Sequence, residues 1–215
     1  MKIKVAISIV LLCVSIVSCA QLSKSMKIPK GDPAAIKGEA VAYFSEGCFW
    51  HTEIVFQSLY GVRDAVSGYS GGTTSSPDYE KISDGSTGHA ETVKVFYDPA
   101  KISFSTLTDA FFASHDPTQV NGQGYDVGTQ YRSIAFYSND AEKKVIENAI
   151  RKLQEQKKYK KKIATQVIQF TKFYSAENYH QEYIINHPGS SYVQNVSIPD
   201  YLEFRQTFKG KFKAL

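Results

Sequence analysis

Cys48 lies in the segment EGCFWHTE at residues 46–53, and the other two cysteines of the 215-residue chain fall within its first twenty residues. A lone cysteine is commonly a small buried apolar residue. Here a strand pattern precedes Cys48 and a helical pattern follows it, so the thiol is expected at a helix N-terminus. Unpaired N–H groups there stabilise a thiolate and lower its pKa. Position alone leaves both interpretations open, the hydrophobic residue and the nucleophile.

Other polar residues suited to chemistry lie beside predicted strands and in long loops. His89 and Glu91 are two apart in a predicted strand and therefore share one face. Asp126 and Tyr131 lie where a long loop meets a strand, and Tyr79 lies in another long loop. Each has an ordinary structural explanation, as a solvated carboxylate, an Asx turn or a core tyrosine. Together with Cys48 they outline a site that donates hydrogen bonds to an oxygen atom while a sulfur atom is attacked.

Five sequence blocks occur in one order: GCFWHTE, GYSGG, GHAETVKVFYDP, HDPTQVNGQGYDVGTQYRS and FYSAENYHQEYI. They resemble the characteristic blocks of the peptide methionine sulfoxide reductases of the A class and cover roughly residues 40–190. The resemblance implies an enzyme that reduces methionine S-sulfoxide, free or in proteins, to methionine. Its biological role would be the repair of oxidative damage.

The resemblance assigns a role to each residue that matches a family block. Cys48 matches the nucleophile, whose thiolate attacks the sulfoxide sulfur. Glu91 matches the acid that polarises or protonates the sulfoxide oxygen, and burial must keep such a carboxyl protonated near neutral pH. Tyr79 and Tyr131 match two phenols that donate hydrogen bonds to the same oxygen, where charge develops.

The remaining matches concern substrate binding and support. Phe49 and Trp50 match the aromatic pocket for the S-methyl group of the substrate. Asp126 matches a loop acid that orders the phenols or serves the later thiol step. His89 lies near Glu91 and is expected to orient that acid. Neither a metal nor a bound cofactor is expected.

The reaction would leave a sulfenic acid on Cys48, which a thiol must convert to a disulfide. Many family members use a second cysteine near the C-terminus, but residues 191–215 contain none. We therefore expect an external reductant, either a small thiol or a thioredoxin- or glutaredoxin-like protein. The alternative partner is an unlipidated Cys19, whose flexible tether reaches roughly 25 Å.

The N-terminal residues have the pattern of an export signal. The basic MKIK precedes the apolar VAISIVLLCVSIV, which is too short for a stable membrane-spanning helix. We interpret residues 1–18 as a lipoprotein-type signal peptide, because IVSCAQ resembles a lipobox with Cys19 as the lipidated residue. Cleavage after Ala20 is the alternative. The expected location is the bacterial cell envelope, with a lipid anchor on Cys19 or else as a soluble periplasmic or secreted enzyme.

The elements that must position these residues alternate along the chain after a flexible tether at 19–39. Four segments are predicted as strands, AVAYF, VRDAVSGY, AETVKVFYDP and YRSIAFY, and two as helices, CFWHTEIVFQSL and SFSTLTDAFFASH. This alternation predicts an α+β fold, a two-layer sandwich of a mixed sheet with packed helices, of the ferredoxin-like plait type. The catalytic domain is expected at 40–190, with a C-terminal tail at 191–215 packed on it.

Long polar loops at about 72–88 and 116–130 are predicted to surround the site. After the last predicted strand, Ser138 or Asn139 is expected to cap a helix that ends in the basic run QKKYKKK. The apolar face of this helix consists of Val145, Ile146, Ala149, Ile150 and Leu153. We interpret the basic run as the solvated end of the helix.

Composition and spacing disfavour other classes of protein. The formal net charge is +4, and removal of Lys2 and Lys4 with the signal leaves 4 − 2 = +2, too little to indicate a nucleic-acid partner. The five histidines lack zinc-ligand spacing. A monomer is expected.

Two alternative functions remain open at this point. A cysteine hydrolase would pair Cys48 with one of the histidines His51, His89, His115 and His180, but the usual motif contexts are missing. A lipid-anchored module that binds methionine-sulfoxide peptides without reducing them would need neither Glu91 nor Tyr131. Both of those residues are present.

Overall fold

The computed structural model describes residues 33–214, which form a six-stranded sheet with helices packed against it and a separate two-stranded sheet. The predicted signal peptide, Cys19 and the first part of the tether lie outside the described residues. In chain order the elements are β1 (Ala40–Ser45), α1 (Phe49–Gln57), β2 (Val62–Ser70), α2 (Tyr79–Ser83), β3 (Ala90–Tyr97), α3 (Phe104–Ala113), β4 (Gly122–Gln123), β5 (Asp126–Val127), β6 (Ile134–Tyr137), α4 (Asp140–Glu155), β7 (Gln166–Gln169), β8 (Phe173–Ser175), α5 (Tyr183–Asn186) and α6 (Ile198–Thr207).

The six-stranded sheet has the order β7-β6-β1-β3-β2-β8. All neighbours are antiparallel except β6 and β7, which are parallel. The central unit β1-α1-β2-β3-α3-β6 has the connectivity of a split βαβ motif, which is the ferredoxin-like plait. The predicted α+β fold with a mixed sheet is confirmed, and β7 and β8 extend the plait at its two edges.

The main core lies between the sheet and the helices. Val93, Val95 and Tyr97, which the sequence places on one face of β3, all belong to this core. The ring of Phe44 on β1 stacks on Phe56 of α1 with centroids 5.0 Å apart. Complete burial of such a side chain stabilises the fold by about 1.5–3 kcal/mol. Packed aromatic rings between the sheet and α1 therefore fix the position of this helix.

Hydrogen bonds fix where the longer helices begin. The Ser103 hydroxyl accepts from the amide of Thr106 at the start of α3. Asn139 accepts from the amide of Glu142 at the start of α4, which confirms the predicted cap. A lost cap of this kind costs about 1 kcal/mol.

The two long polar loops contain short elements of their own. Residues 72–88 include α2, and residues 116–130 include the hairpin of β4 and β5, followed by a 3-10 turn at Thr129–Tyr131. Tyr79, Asp126 and Tyr131 belong to these short elements. In the C-terminal region a π-helical turn, Val193–Ser197, leads directly into α6.

The C-terminal region adds apolar side chains to the main core. Val193, Tyr201 and Phe204 are all buried there. Within residues 33–214, none of the helices combines the length and the apolar character that crossing a membrane requires.

Candidate active site

The sharp turn between β1 and α1 determines where Cys48 lies. Gly47 has φ of +108°, in the left-handed region that favours glycine. A Cβ atom at this position would lie 2.7 Å from the Cβ of Gln123, which is too close for any side chain. Cys48 follows in an extended conformation as the N-cap residue of α1 and is half-buried. The turn thus places the thiol at the helix N-terminus.

Glu91 provides a buried carboxyl beside this turn. Its strand, β3, pairs with β1, and the amide of Phe49 donates to Glu91 Oε2 over 2.9 Å. Only 2% of Glu91 is exposed. Burial raises the pKa of Glu91 to about 8, against the opposing effect of the Phe49 hydrogen bond. Glu91 is therefore mostly protonated at neutral pH.

Two phenols lie within electrostatic reach of the thiol and of Glu91. Tyr79 is the first residue of α2, and its amide donates to Glu177 Oε1 over 3.0 Å. Tyr131 ends the 3-10 turn and shares a hydrogen bond with the Tyr79 hydroxyl. Burial, followed by the charge of Glu91, raises the pKa of both phenols. Both therefore remain protonated hydrogen-bond donors.

Asp126 and Tyr192 form the other side of the site. The Tyr192 hydroxyl donates to Asp126 Oδ2 over 2.6 Å and also interacts with the Cys48 thiol by a hydrogen bond. Burial raises the pKa of Asp126, and the Tyr192 hydrogen bond partly offsets this rise. Tyr192 lies in the C-terminal region, and no sequence pattern marked it as a site residue.

Phe49 and Trp50 form the aromatic wall of the site. The Trp50 indole stacks on Tyr183 with centroids 3.6 Å apart, and its Nε1 donates to His180 Nδ1 over 3.2 Å. Phe49 is buried and packs against the same histidine, with ring centroids 4.9 Å apart. Burial lowers the pKa of His180 to about 4, so its ring is neutral and Nδ1 is free to accept. Trp50 is thus held in one orientation by stacking and by a hydrogen bond.

His89 lies behind the reacting groups, where it joins β3 to the preceding loop. Its Nδ1 accepts from the amide of Gly72, and its Nε2 lies 2.8 Å from the carbonyl of Thr74. These two bonds define a neutral ring with the proton on Nε2. His89 holds the loop at 72–74 against the start of the strand that carries Glu91.

The pKa of Cys48 is raised, contrary to the expectation from sequence, because the effect of the helix N-terminus is outweighed. Burial of the thiol, with the carboxyls of Glu91 and Asp126, raises its pKa well above the usual range. The backbone N–H of Trp50 and the Tyr192 hydroxyl act in the opposite direction but are weaker. The site as described therefore holds a protonated thiol.

The structure brings most of the predicted residues together at one end of the sheet. The group consists of Cys48, Phe49, Trp50, Tyr79, Glu91, Asp126 and Tyr131, with His89 behind it. Sequence reasoning missed Tyr192, Glu177 and the role of His180. Glu177 and His180 lie in the block FYSAENYHQEYI, so the family block could have pointed to them. Tyr192 lies outside all five blocks, and no sequence pattern pointed to it.

A cavity of about 700 Å³ opens at Cys48. Asp126 and Tyr192 line it, together with residues from the end of α3 and from α6. Among the described residues, no group of three or more His, Cys, Asp and Glu side chains has an arrangement suited to holding a metal ion. The chemistry available to the described site is that of a thiol, a protonated carboxyl and phenolic donors.

A plait that brings a cysteine, a protonated carboxyl and two phenols together is suited to the chemistry of an oxidoreductase. The comparison with known proteins specifies the family. A family model described as peptide methionine sulfoxide reductase matches residues 40–212. The peptide methionine sulfoxide reductase MsrA 2 of Synechocystis sp. is 42% identical over 179 residues, which are 83% of this chain and 84% of that protein.

Solved structures give the same result. The reduced form of Mxr1 from Saccharomyces cerevisiae matches with a TM-score of 0.66 and 37% identity, over 75% of this chain and 91% of that one. Mxr1 in complex with Trx2 matches with a TM-score of 0.50 and 27% identity, over 73% and 92%. The chain belongs to the A class of the peptide methionine sulfoxide reductase family and reduces methionine sulfoxide.

Proposed function

We propose that the chain reduces the S epimer of methionine sulfoxide, free or in proteins, with Cys48 as the nucleophile. The observation that carries this proposal is the neutral Glu91, fixed by the Phe49 amide beside the turn that bears the thiol. A carboxyl kept protonated at neutral pH suits the donation of a proton to a sulfoxide oxygen. The S epimer follows from the family resemblance.

In the first half of the reaction, the Cys48 sulfur attacks the sulfoxide and the S–O bond of the substrate breaks. Glu91 gives its proton to the oxygen while Tyr79 and Tyr131 donate hydrogen bonds to it. Phe49 and Trp50 hold the S-methyl group. The released hydroxide then adds to the Cys48 sulfur and the sulfur–sulfur bond made by the attack breaks, so a thiol and a sulfoxide become a sulfenic acid and a thioether. The proton that the thiol released restores Glu91.

In the second half, an external thiol regenerates Cys48. The thiol sulfur attacks the sulfenic acid, water leaves, and a second thiol opens the resulting mixed disulfide to give free Cys48 and an oxidised reductant. No cysteine follows Cys48 in the sequence, which supports an external donor. The complex of Mxr1 with Trx2 supports a thioredoxin-like protein in this role, and a small thiol is the alternative donor.

Export to the cell envelope, with a lipid on Cys19, is part of the proposal. The basic N-terminus, the apolar segment and IVSCAQ support it. Fractionation of expressing cells tests it. The full chain should sediment with membranes, and Cys19→Ala should move it to the soluble fraction. An unchanged distribution would contradict the anchor.

The activity is tested with matched peptides that carry either the S or the R sulfoxide. We expect turnover of the S epimer with dithiothreitol, and comparison of thioredoxin with glutathione systems then identifies the reductant. Turnover of the R epimer alone would refute the proposal. A Cys19–Cys48 disulfide as the main product of the oxidised mature protein, detected by mass spectrometry, would refute direct regeneration by an external thiol.

A further inference from the structure

The cavity that opens at Cys48 has an acidic lining. Its acidic residues are Glu46, Asp116, Asp126, Asp200 and Glu203. Lys158 is the only lysine or arginine among the described residues of the cavity wall, so a single basic side chain is present beside these acidic residues. His51 and His115 also line the cavity, and burial lowers the pKa of each, so they add no positive charge at neutral pH. Burial raises the pKa of Glu46 and of Asp126, so the negative charge of the lining comes mainly from Asp116, Asp200 and Glu203.

Three buried polar atoms in the cavity wall lack hydrogen-bond partners within the described residues, and Glu46 Oε1 and Ser197 Oγ are two of them, beside His51 Nδ1. Glu46 and Ser197 are each only 1% exposed. Neither Glu46 Oε1 nor Ser197 Oγ forms a hydrogen bond within the described residues. Buried polar groups are nearly always paired, because an unpaired one carries a desolvation cost. These two atoms therefore indicate that the cavity receives a polar group from a ligand.

The geometry of a sulfoxide identifies which part of the substrate enters. A sulfoxide sulfur has substituents in three directions and is attacked from a fourth. In the proposed reaction the oxygen faces Glu91, the methyl group faces Trp50, and Cys48 attacks. The remaining direction, which the methionine side chain takes toward its backbone, is the side of Asp126 and Tyr192. These two residues are part of the cavity wall.

We propose that this cavity binds the polypeptide segment flanking the oxidised methionine, and that its acidic rim selects segments carrying lysine or arginine. The proposal rests on the proposed function, since it places the sulfoxide by the roles given above. Glu46 and Ser197 pair with backbone groups of the bound segment. Asp200 and Glu203, both exposed at the rim on α6, attract its basic side chains.

The test uses three short peptides in which one methionine S-sulfoxide is flanked by lysine, glutamine or glutamate. The expected kcat/KM falls in that order, with about a fivefold ratio between the lysine and glutamate peptides at low ionic strength. The ratio should shrink as salt is added. The double variant Asp200→Asn, Glu203→Gln should bring the ratio close to one and leave turnover of free methionine sulfoxide unchanged.

The matched control removes the same two charges outside the cavity, by Asp140→Asn with Glu155→Gln on α4. This control variant should retain the wild-type ratio. Equal kcat/KM for the lysine and glutamate peptides in the wild-type enzyme would overturn the inference while the reductase function stands. The inference would also be overturned if the Asp200→Asn, Glu203→Gln double variant kept the wild-type ratio of kcat/KM between the lysine and glutamate peptides. Failure of the wild-type enzyme to reduce even free methionine sulfoxide would instead refute the proposed function.

Discussion

Glu91→Gln removes the proton of the buried acid and leaves its shape. The glutamine oxygen still accepts from the Phe49 amide, as Oε2 of Glu91 does over 2.9 Å. The rise of the Glu91 pKa from 4.5 to about 8 means that ionising this carboxyl in the site costs about 5 kcal/mol more than in water. Because Glu91 is thus held protonated, loss of its proton should slow the first half of the reaction by roughly 10²–10⁴-fold.

The assay is a single turnover, in which methionine release is followed after mixing excess enzyme with an S-sulfoxide peptide in the absence of thiol. The same substitution should make the thiol more reactive. The charge of Glu91 raises the pKa of Cys48, so Glu91→Gln should increase the rate of Cys48 alkylation by iodoacetamide at pH 9. Slower reduction with faster alkylation distinguishes a lost acid from a damaged nucleophile.

Glu53→Gln is the matched control. Glu53 is also buried, and burial raises its pKa to about 8, but its carboxyl pairs with Ser67 and the Glu182 amide. A folded-state pKa above the unfolded value stabilises the fold below about pH 4.5, and this contribution is lost as pH rises through about 8. The free energy of unfolding should therefore decrease less between pH 5 and pH 8 in each variant than in the wild type.

The two substitutions should differ in their effect on reduction, since only Glu91→Gln should slow it. Wild-type rates in the Glu91 variant would refute the reasoning. An equal loss of rate in the Glu53 variant would refute it as well, because the effect would then not be specific to the site.

Three other positions should respond to single substitutions. Gly47→Ala should lower the free energy of unfolding by about 1–3 kcal/mol in urea titrations, because of its positive φ and close contact, whereas Gly189→Ala, in open space, should not. Tyr192→Phe should slow Cys48 alkylation at pH 8 about fivefold, since its hydrogen bond lowers the thiol pKa; an unchanged rate would contradict this. Burial lowers the pKa of His115 to about 4, so the contribution of this residue to stability is lost as pH falls from 6.5 to 4, and the stability of His115→Gln relative to the wild type should rise over that range.

The sequence predicted the elements of the plait whose patterns are local. β1 alternates over a few residues, α1 follows directly from it, and Asn139 caps α4 with its own side chain. The order of the strands could be expected only from the alternation of strands with helices. The edge strands β7 and β8 are short and only partly buried, so they left no hydrophobic pattern to detect.

The candidate site was predicted where family blocks mark it and missed where long-range packing creates it. Tyr192 contacts Asp126 from 66 residues away, and it lies at the start of a π-helical turn that no local sequence pattern predicts. The pKa of Cys48 was predicted with the wrong sign, because the helix N-terminus is visible in the sequence whereas burial and the charge of Glu91 come from the fold. Desolvation outweighs the helix here, because burial and two nearby carboxyls both disfavour the charged thiolate.

The central claim is that Cys48 takes the oxygen atom from the substrate. Thiol-free enzyme mixed with excess S-sulfoxide peptide should release one methionine-containing product per enzyme and then stop. Mass spectrometry should find one added oxygen, trapped as a sulfenic acid adduct, on the peptide that contains Cys48. Cys48→Ser should release none. Methionine released by the serine variant, or an unmodified Cys48 after the wild-type turnover, would contradict the account.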